Sequence, residues 1–590
     1  MSAPRLFGHV YGTSPPNPLS TRWRGGSDGP VGRLLGGAVA AVCLLLGPMP
    51  WLLRPAFADW PAHPDVPEWA RRGNVCRAFP APPSPLTPAE LSPEEQTAAV
   101  APTPRAGRFV TICSRGLPQA ALESPAEACV VAADGRRLLL GNDPRQLVGC
   151  WSAPRFRQYL RAQMLGGPPR DGVILDNVTV YDCHCSTCRQ RFREFSRLYL
   201  GRETEMPEEV DLAGPVGRAV RVFELCMARE CLMELKAALH EEKPPVALAL
   251  ALPPQSGVAA WLSHEGIPDV VLIRRSGATP EQPTFPDLKL ALAAARGGCV
   301  AAWQDDAETP AVTPQRRMLG LAEAISAGAT EISPRPDAPE DPPGARWWSF
   351  AQDLLRRRGA MQPAARVAVL CSVWTGVWQP QAQHLAELGM RLQETGLPFD
   401  FVVDEDLGPQ LLRQYPLLFV PNATCMSDTV AVALQAYGDA GGAVVLSGRP
   451  GACTDRGDRR VGLPRFAAAK LMLCVRPPEQ MPARDLRRMI LDLAAPMARL
   501  ADPVSASLTF SLQRDERSPG LQVHLVNRDA QRPESNVRVM LPVALCRGWR
   551  ATLTSPEHEP QALEMREQGG YMNLVVPQVR IWETIIVEPG

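Results

Sequence analysis

From Phe109 to Ser333 the sequence alternates short apolar runs with helical patterns, and this alternation narrows the fold more than any other feature. "FVTIC", "GVILDN", "PVALALAL", "DVVLIRR", "GCVAAWQ" and "TEIS" have strand length and little polar alternation, as strands buried on both faces require. Helical stretches separate them. In "FELCMARECLMELKAALHEE", Leu225, Ala228, Leu232, Leu235 and Leu239 recur at spacings of three and four and form one apolar stripe. Strands that lie parallel need a crossover between neighbours, and helices supply it. The most economical closure is an α/β fold of the (β/α)8 barrel type, spanning 109–360. Only six of its strands are legible. The first two units are missing or hidden in the proline-rich segment before Phe109, which allows an incomplete barrel.

Two further units follow. From 365 to 500, "RVAVLCS" reads as a strand and "QAQHLAELGMRLQETG" as a helix closed by Gly396. "PFDFVVDE", "YPLLFVPNA", "SDTVAVALQAYGDAGG" and "AVVLSG" continue the alternation, predicting a small open sheet of the flavodoxin type. From 502 to 590 the helices stop. "LTFSLQ", "LQVHLVNR", "VRVMLPV", "WRATLTSP", "YMNLVVP" and "IWETIIVE" are short strands at regular intervals, the pattern of an antiparallel β-sandwich.

Before the barrel, 59–108 is rich in proline, alanine and glutamate ("AFPAPPSPLTPAELSPEEQTAAVAPTPRAG"). Such a composition buries little and reads as a linker. Residues 1–58 carry an address. "LLGGAVAAVCLLLGPMPWLL", 34–53, is uncharged and lies between Arg33 and Arg54. Its length permits a membrane-spanning helix. Pro48, Pro50 and the small-residue pattern Ala56-Phe57-Ala58 favour a signal peptide cut before Asp59. The expected location is therefore secreted or periplasmic, with membrane contact only through 34–53, either as a leader or as an anchor. Lysine plus arginine equals aspartate plus glutamate at 62 each, so no global field draws the chain to nucleic acid.

The 16 cysteines are spread along the chain, unlike a short disulfide scaffold, and most read as small buried apolar residues. One group breaks the scatter. Cys183, Cys185 and Cys188 put three thiols on one turn ahead of "RQRFREFSRLYLG", a helix with Phe192, Phe195 and Tyr199 on one face. Thiolates at this spacing suit tetrahedral zinc, which takes a fourth ligand from elsewhere. His184 competes for that place, and Cys150 in "LVGCWSAPRFRQYL" is the better candidate. With four protein ligands the ion is structural, because no position is left open for chemistry.

"ESPAEACVVAADGRRLLLGN", "CWSAPRFRQYL", "GVILDN" and "CHCSTCRQRFREF" together resemble the barrel of glycoside hydrolase family 42 (GH42) β-galactosidases and of related hydrolase-like proteins. In that family a cysteine before "SP-x-Y/F-R" joins a C-x-C-x-x-C turn to hold a structural zinc, which implies Cys150, Cys183, Cys185 and Cys188 as ligands. "LLFVPNATCMSD" and "AGGAVVLSG" resemble the family's glutamine-amidotransferase-like domain, whose contacts imply a homotrimer. "VHLVNR" and "VPQVRIWETIIVE" resemble its C-terminal sandwich, so the likeness covers most of 123–588.

The chain departs from the resemblance where the chemistry sits. The family's acid/base glutamate follows an Asp-Asn pair, as D-N-E, and here the order is Asp176-Asn177-Val178. Valine cannot move a proton. The family's nucleophile is expected near Trp303 or Gln304, and neither can form a glycosyl ester. Asp305, Asp306 and Glu308 follow and could substitute if their loop turns inward. Asp176 ends a barrel strand, where such enzymes keep their chemistry. The plainer role for it is an Asp-Asn pair that ties down the loop.

The expectation is thus a hydrolase acting on oligo- or polysaccharide. Asp176 would work with an acid from Asp305, Asp306 or Glu308, and Asn177, Trp303 and Gln304 would contact sugar. The rival is a non-catalytic descendant that binds glycan or serves in assembly. Weaker candidates read as structure: Cys425 lacks a nucleophile frame, His264-Glu265 is a solvated dipeptide, and His524 alternates with apolar residues in a strand. Trp374 and Trp378 suit either a sugar platform or a domain seam.

Overall fold

A computed structural model of the chain describes residues 76–80, 107–113, 115–119, 127–140, 145–167, 170–176, 178–252, 261–262, 265–275, 285–295, 299–304, 314–333, 342–357, 361–379, 384–461, 470–474, 476–515 and 519–590. The apolar run 34–53 and the Ala56–Ala58 pattern lie outside these residues. Among the described residues no helix is long and apolar enough to cross a membrane.

The strands β1 (Cys76–Pro80), β2 (Gly107–Cys113), β3 (Gly172–Asp176), β4 (Ala247–Leu252), β5 (Val270–Arg275), β6 (Cys299–Gln304) and β7 (Thr330–Ser333) form a closed barrel in that order. Every neighbouring pair is parallel, and β1 closes the ring by pairing with β7 through Cys76↔Ile332. The six legible runs are six of these strands. The seventh, β1, comes from the proline-rich 59–108 segment that composition reads as a linker, and β2 begins inside it at Gly107, so that reading is corrected over 76–80 and 107–108. Its partners on both sides, not its own sequence, make it a strand. Val173, Ile174 and Leu175 in β3 are fully buried, which explains the unbroken apolar run: both faces meet protein.

Three helices fix the region after β3. They are α1 (Pro154–Leu165), α2 (Ser186–Tyr199) and α3 (Pro215–His240), and α1 and α3 each open on a proline at the first turn, where the missing N–H costs nothing. The predicted stripe Leu225, Ala228, Leu232, Leu235 and Leu239 is buried along α3. On α2, Phe192 and Phe195 each lie 5.6 Å from Phe223 of α3, and Tyr199 stacks on Phe195 at 5.3 Å. Arg157 on α1 bonds Glu230 and Glu234 of α3, both at 2.9 Å.

The second unit is a parallel sheet of β8 (Val367–Cys371), β9 (Phe399–Val403), β10 (Leu417–Pro421), β11 (Ala443–Ser447) and β12 (Lys470–Leu473), in the order β9-β8-β10-β11-β12. That is the flavodoxin order. A barrel helix, α4 (Phe285–Ala294), packs on β9 through Phe285 and Phe399 at 6.2 Å. There Lys289 Nζ meets Asp400 Oδ1 at 2.7 Å, both buried. The third unit is an antiparallel sandwich of a six-stranded and a four-stranded sheet. It also recruits Met361–Pro363 and Arg499–Leu500, short pieces that lie before residue 502.

Candidate metal centre and barrel mouth

The cysteine turn follows β3, and its counterpart follows a small antiparallel strand pair. Gly116–Pro118 pairs with Gln146–Val148 and delivers Cys150 to the start of α1. Gly149 is required at the approach, because a Cβ there would stand 2.0 Å from Phe156 Cε2. Backbone bonds hold both turns to one short segment: Cys150 N–H donates to Ala128 O at 2.9 Å, and His184 N–H to Val131 O at 2.7 Å. Trp151 Nε1 donates to Thr179 O at 2.9 Å and ties the Cys150 turn to the loop after β3. Cys185 caps α2, its Sγ accepting the Cys188 N–H at 3.4 Å.

Four buried sulfurs converge as a result: those of Cys150, Cys183, Cys185 and Cys188 all lie within 4.8 Å of one another. Cys150 Sγ is 3.6 Å from Cys183 Sγ, 3.9 Å from Cys185 Sγ and 3.5 Å from Cys188 Sγ. Tetrahedral zinc with Zn–S bonds of about 2.3 Å sets its sulfurs roughly 3.8 Å apart, so the donor set fits such an ion by type, number and spacing. His184 is buried but stands outside the cluster, and the fourth sulfur is that of Cys150. Hydrogen bonding with Cys150 is the main cause that lowers the Cys183 and Cys185 thiols below the ordinary value. The same bonding raises Cys188, and the bond to Cys183 raises Cys150.

A cavity of about 20 Å³ opens beside the cluster, and Arg115, Trp151, Tyr181 and Glu224 line it with Cys150, Cys183 and Cys188. That is room for about one water molecule. The Arg115 guanidinium lies 4.9 Å from the Trp151 ring and 4.8 Å from the Tyr181 ring. Burial lowers its pKa to about 10, against the pull of Cys150 and other neighbours, so it stays charged at neutral pH. Burial, helped by Asp182, pushes the Glu224 carboxyl well above the usual range. Sequence reasoning missed Arg115, Tyr181 and Glu224. They come from three separate elements, and only the position of Trp151 beside Cys150 could have hinted at the group.

At the barrel mouth, Asp176 is the last residue of β3, half-buried and in register with Cys113. Trp303 and Gln304 end β6, with their backbones opposite Arg274 and Arg275 of β5. Asn177, Asp305, Asp306 and Glu308 lie outside the described residues. Val178, at the position where the D-N-E pattern carries its glutamate, is 3% exposed and packs in the main core.

The weaker candidates divide as follows. Cys425 is buried beside Cys453, and burial raises its thiol to about 12. Trp374 and Trp378 stack at 6.2 Å and pack with Leu225 of α3, a seam between barrel and second unit. Trp378 Nε1 donates to Asp455 O at 2.8 Å. His524 is buried with Nδ1 3.0 Å from Thr584 Oγ1. Glu265 pairs with Arg229 at 2.9 Å, and His264 lies outside the described residues.

No family model and no curated protein matches the sequence. Solved structures do match. The β-galactosidase of Rahnella sp. R3 is similar at 13% identity and a TM-score of 0.61, over 89% of this chain and 96% of that one. A GH42 β-galactosidase of G. stearothermophilus aligns at 12% identity and a TM-score of 0.57, over 82% and 88%. The α-L-fucosidase isoenzyme 2 of Paenibacillus thiaminolyticus aligns at 16% identity and a TM-score of 0.59, over 82% and 88%. At these identities the likeness is one of fold. The chain has the architecture of GH42 glycosidases, an α/β barrel followed by an α/β unit and a β-sandwich.

Proposed function

We propose that the protein is an exported glycoside hydrolase whose barrel is stapled by a structural zinc, with Asp176 as its working acid. The carrying observation is the position of Asp176: it ends β3 on the rim from which barrel enzymes act, seven residues before the first of the three cysteines on the turn that follows. Hydrolysis of a glycosidic bond needs two carboxyl groups, one to protonate the leaving oxygen and one to attack or to activate water. Asp176 supplies the first, and Asp305, Asp306 or Glu308 after β6 supplies the second. Asn177, Trp303 and Gln304 are positioned in sequence to contact sugar beside them. Zinc held by Cys150, Cys183, Cys185 and Cys188 keeps no open position, so its contribution is to hold the rim. The second unit serves as the trimer contact. The substrate class follows from the neighbours in fold, which include β-galactosidases and an α-L-fucosidase.

The test is turnover of aryl β-galactosides, aryl α-L-fucosides and oligosaccharides by the full chain and by Asp176→Asn. The expected result is activity in the first and a loss of about 100-fold or more in the second, as removal of a general acid entails. Unchanged activity in Asp176→Asn would remove Asp176 from the mechanism. Val178 favours a second reading, because the buried valine leaves no proton donor at its position. A protein that binds oligosaccharide in calorimetry and turns over none of the panel is a glycan-binding module.

A further inference from the structure

We propose that Arg115 is the counter-charge of the metal centre, a buried cation held against the cluster so that the four cysteines are favoured as a metal-bound tetrathiolate. The inference rests on the zinc reading and extends it to a residue outside the ligand set. A divalent ion and four thiolates sum to a charge of −2, and all four ligands are buried. A buried net charge is costly unless an opposite charge lies close by. Arg115 is 1% exposed, and it shares the wall of one cavity with Cys150, Cys183 and Cys188.

The mode of holding is specific. Trp151 directly follows one ligand and Tyr181 comes two residues before another. These are the two rings beside the guanidinium, at 4.9 and 4.8 Å. Both ligand turns therefore carry part of the arginine's seat. Aromatic faces attract a cation without using its N–H groups, and Arg115 Nε and Nη1 have no hydrogen-bond partner. Such a buried, unpaired donor pair is uncommon.

Glu224 is the rival partner. It lines the same cavity, and neither of its oxygens accepts a hydrogen bond. Its closest cation is Arg221, with Nη1 3.6 Å from Oε2. Among the described residues no carboxylate forms an ion pair with Arg115.

The experiment follows the transfer of zinc from the purified full chain to a chromophoric chelator, for wild type, R115M, R115K and E224Q. Loss of the cation should weaken metal retention by about 10- to 100-fold, the range for groups just outside a ligand shell. R115K keeps the charge and should retain most of the affinity. E224Q removes a competing carboxyl and should hold zinc at least as well as wild type. R115Q, neutral but polar, is the companion if R115M does not fold, and it must also lose metal faster. The inference is overturned if R115M or R115Q releases zinc at the wild-type rate, or if R115K loses as much as R115M. It is also overturned if E224Q loses as much as R115M, which would assign Arg115 to Glu224. A wild type that neither carries nor takes up zinc fails the zinc reading itself, a result distinct from all of these.

Discussion

Cys185→Ser separates the metal from the fold it is expected to hold. Cys185 caps α2 by accepting the Cys188 N–H at 3.4 Å, and serine is among the preferred residues at that position. The substitution keeps the cap and deletes one soft ligand. The remaining geometry needs little adjustment, because Cys150 Sγ already stands 3.5 to 3.9 Å from its three neighbours. Zinc binding by such sets is worth about 10–16 kcal/mol at pH 7, and an ion that binds only the native state at 1,000 times its Kd adds about 4 kcal/mol of stability. A serine hydroxyl stays protonated at neutral pH, so affinity should fall by about 100-fold or more, or roughly 3 kcal/mol. Elemental analysis should find one zinc per wild-type chain, and cobalt substitution should give thiolate charge-transfer bands. Chelation should lower the wild-type melting temperature, and Cys185→Ser should melt between the wild-type and the chelated protein. The sign with pH is fixed. Metal-bound thiols have folded-state pKa values below the unfolded value of about 8.5, so their stabilisation is complete above that pH and is lost as pH falls. A Cys185→Ser protein with wild-type zinc content and melting would refute the reasoning.

The seam between barrel and second unit offers another test. Lys289 and Asp400 are buried together at 2.7 Å, and Tyr415 Oη donates to Asp400 Oδ2 at 3.2 Å. Lys289→Met strands the carboxylate and should cost about 3–5 kcal/mol in denaturant unfolding, most of it recovered when Asp400→Leu is added. A single variant as stable as wild type would show that the pair contributes nothing. At the other end of the chain, mass spectrometry of the protein from its native compartment should find Asp59 as the first residue. A chain that keeps 34–53 and sediments with membranes means an anchor instead.

The sequence made the α/β elements legible wherever strands are buried on both faces. Val173, Ile174 and Leu175, or Val367 to Cys371, are apolar without interruption because protein covers both sides. The closing sandwich is legible in a different signal, short strands at regular intervals. What escaped was structure made by tertiary pairing. "CRAFP", 76–80, carries an arginine and ends in proline, and only its register against β2 and β7 makes it a barrel strand. The two- and three-residue pieces Arg499–Leu500 and Met361–Pro363 have no local signal at that length. Three thiols in six residues announce a cluster, whereas Arg115 and Glu224 reach it from a loop after β2 and from α3, and no spacing links them.

Val178 decides how the loop after β3 must be understood. It is not a glutamate position left blank, because at 3% exposure the side chain is part of the core that also contains Cys183 and Cys185. A carboxylate buried there would need a cation or several hydrogen bonds to be tolerated. The backbone after Asp176 therefore commits its next described side chain to packing, and the cysteine turn that follows is tied down by the His184 N–H on Val131 O at 2.7 Å. Asp176 is the acid that ends β3, half-buried, and the proposed proton transfer at this strand end rests on it. Scaffold and chemistry are separable here: the cysteines can hold the rim whether or not Asp176 has a partner across it, and only a rate measurement distinguishes the two states.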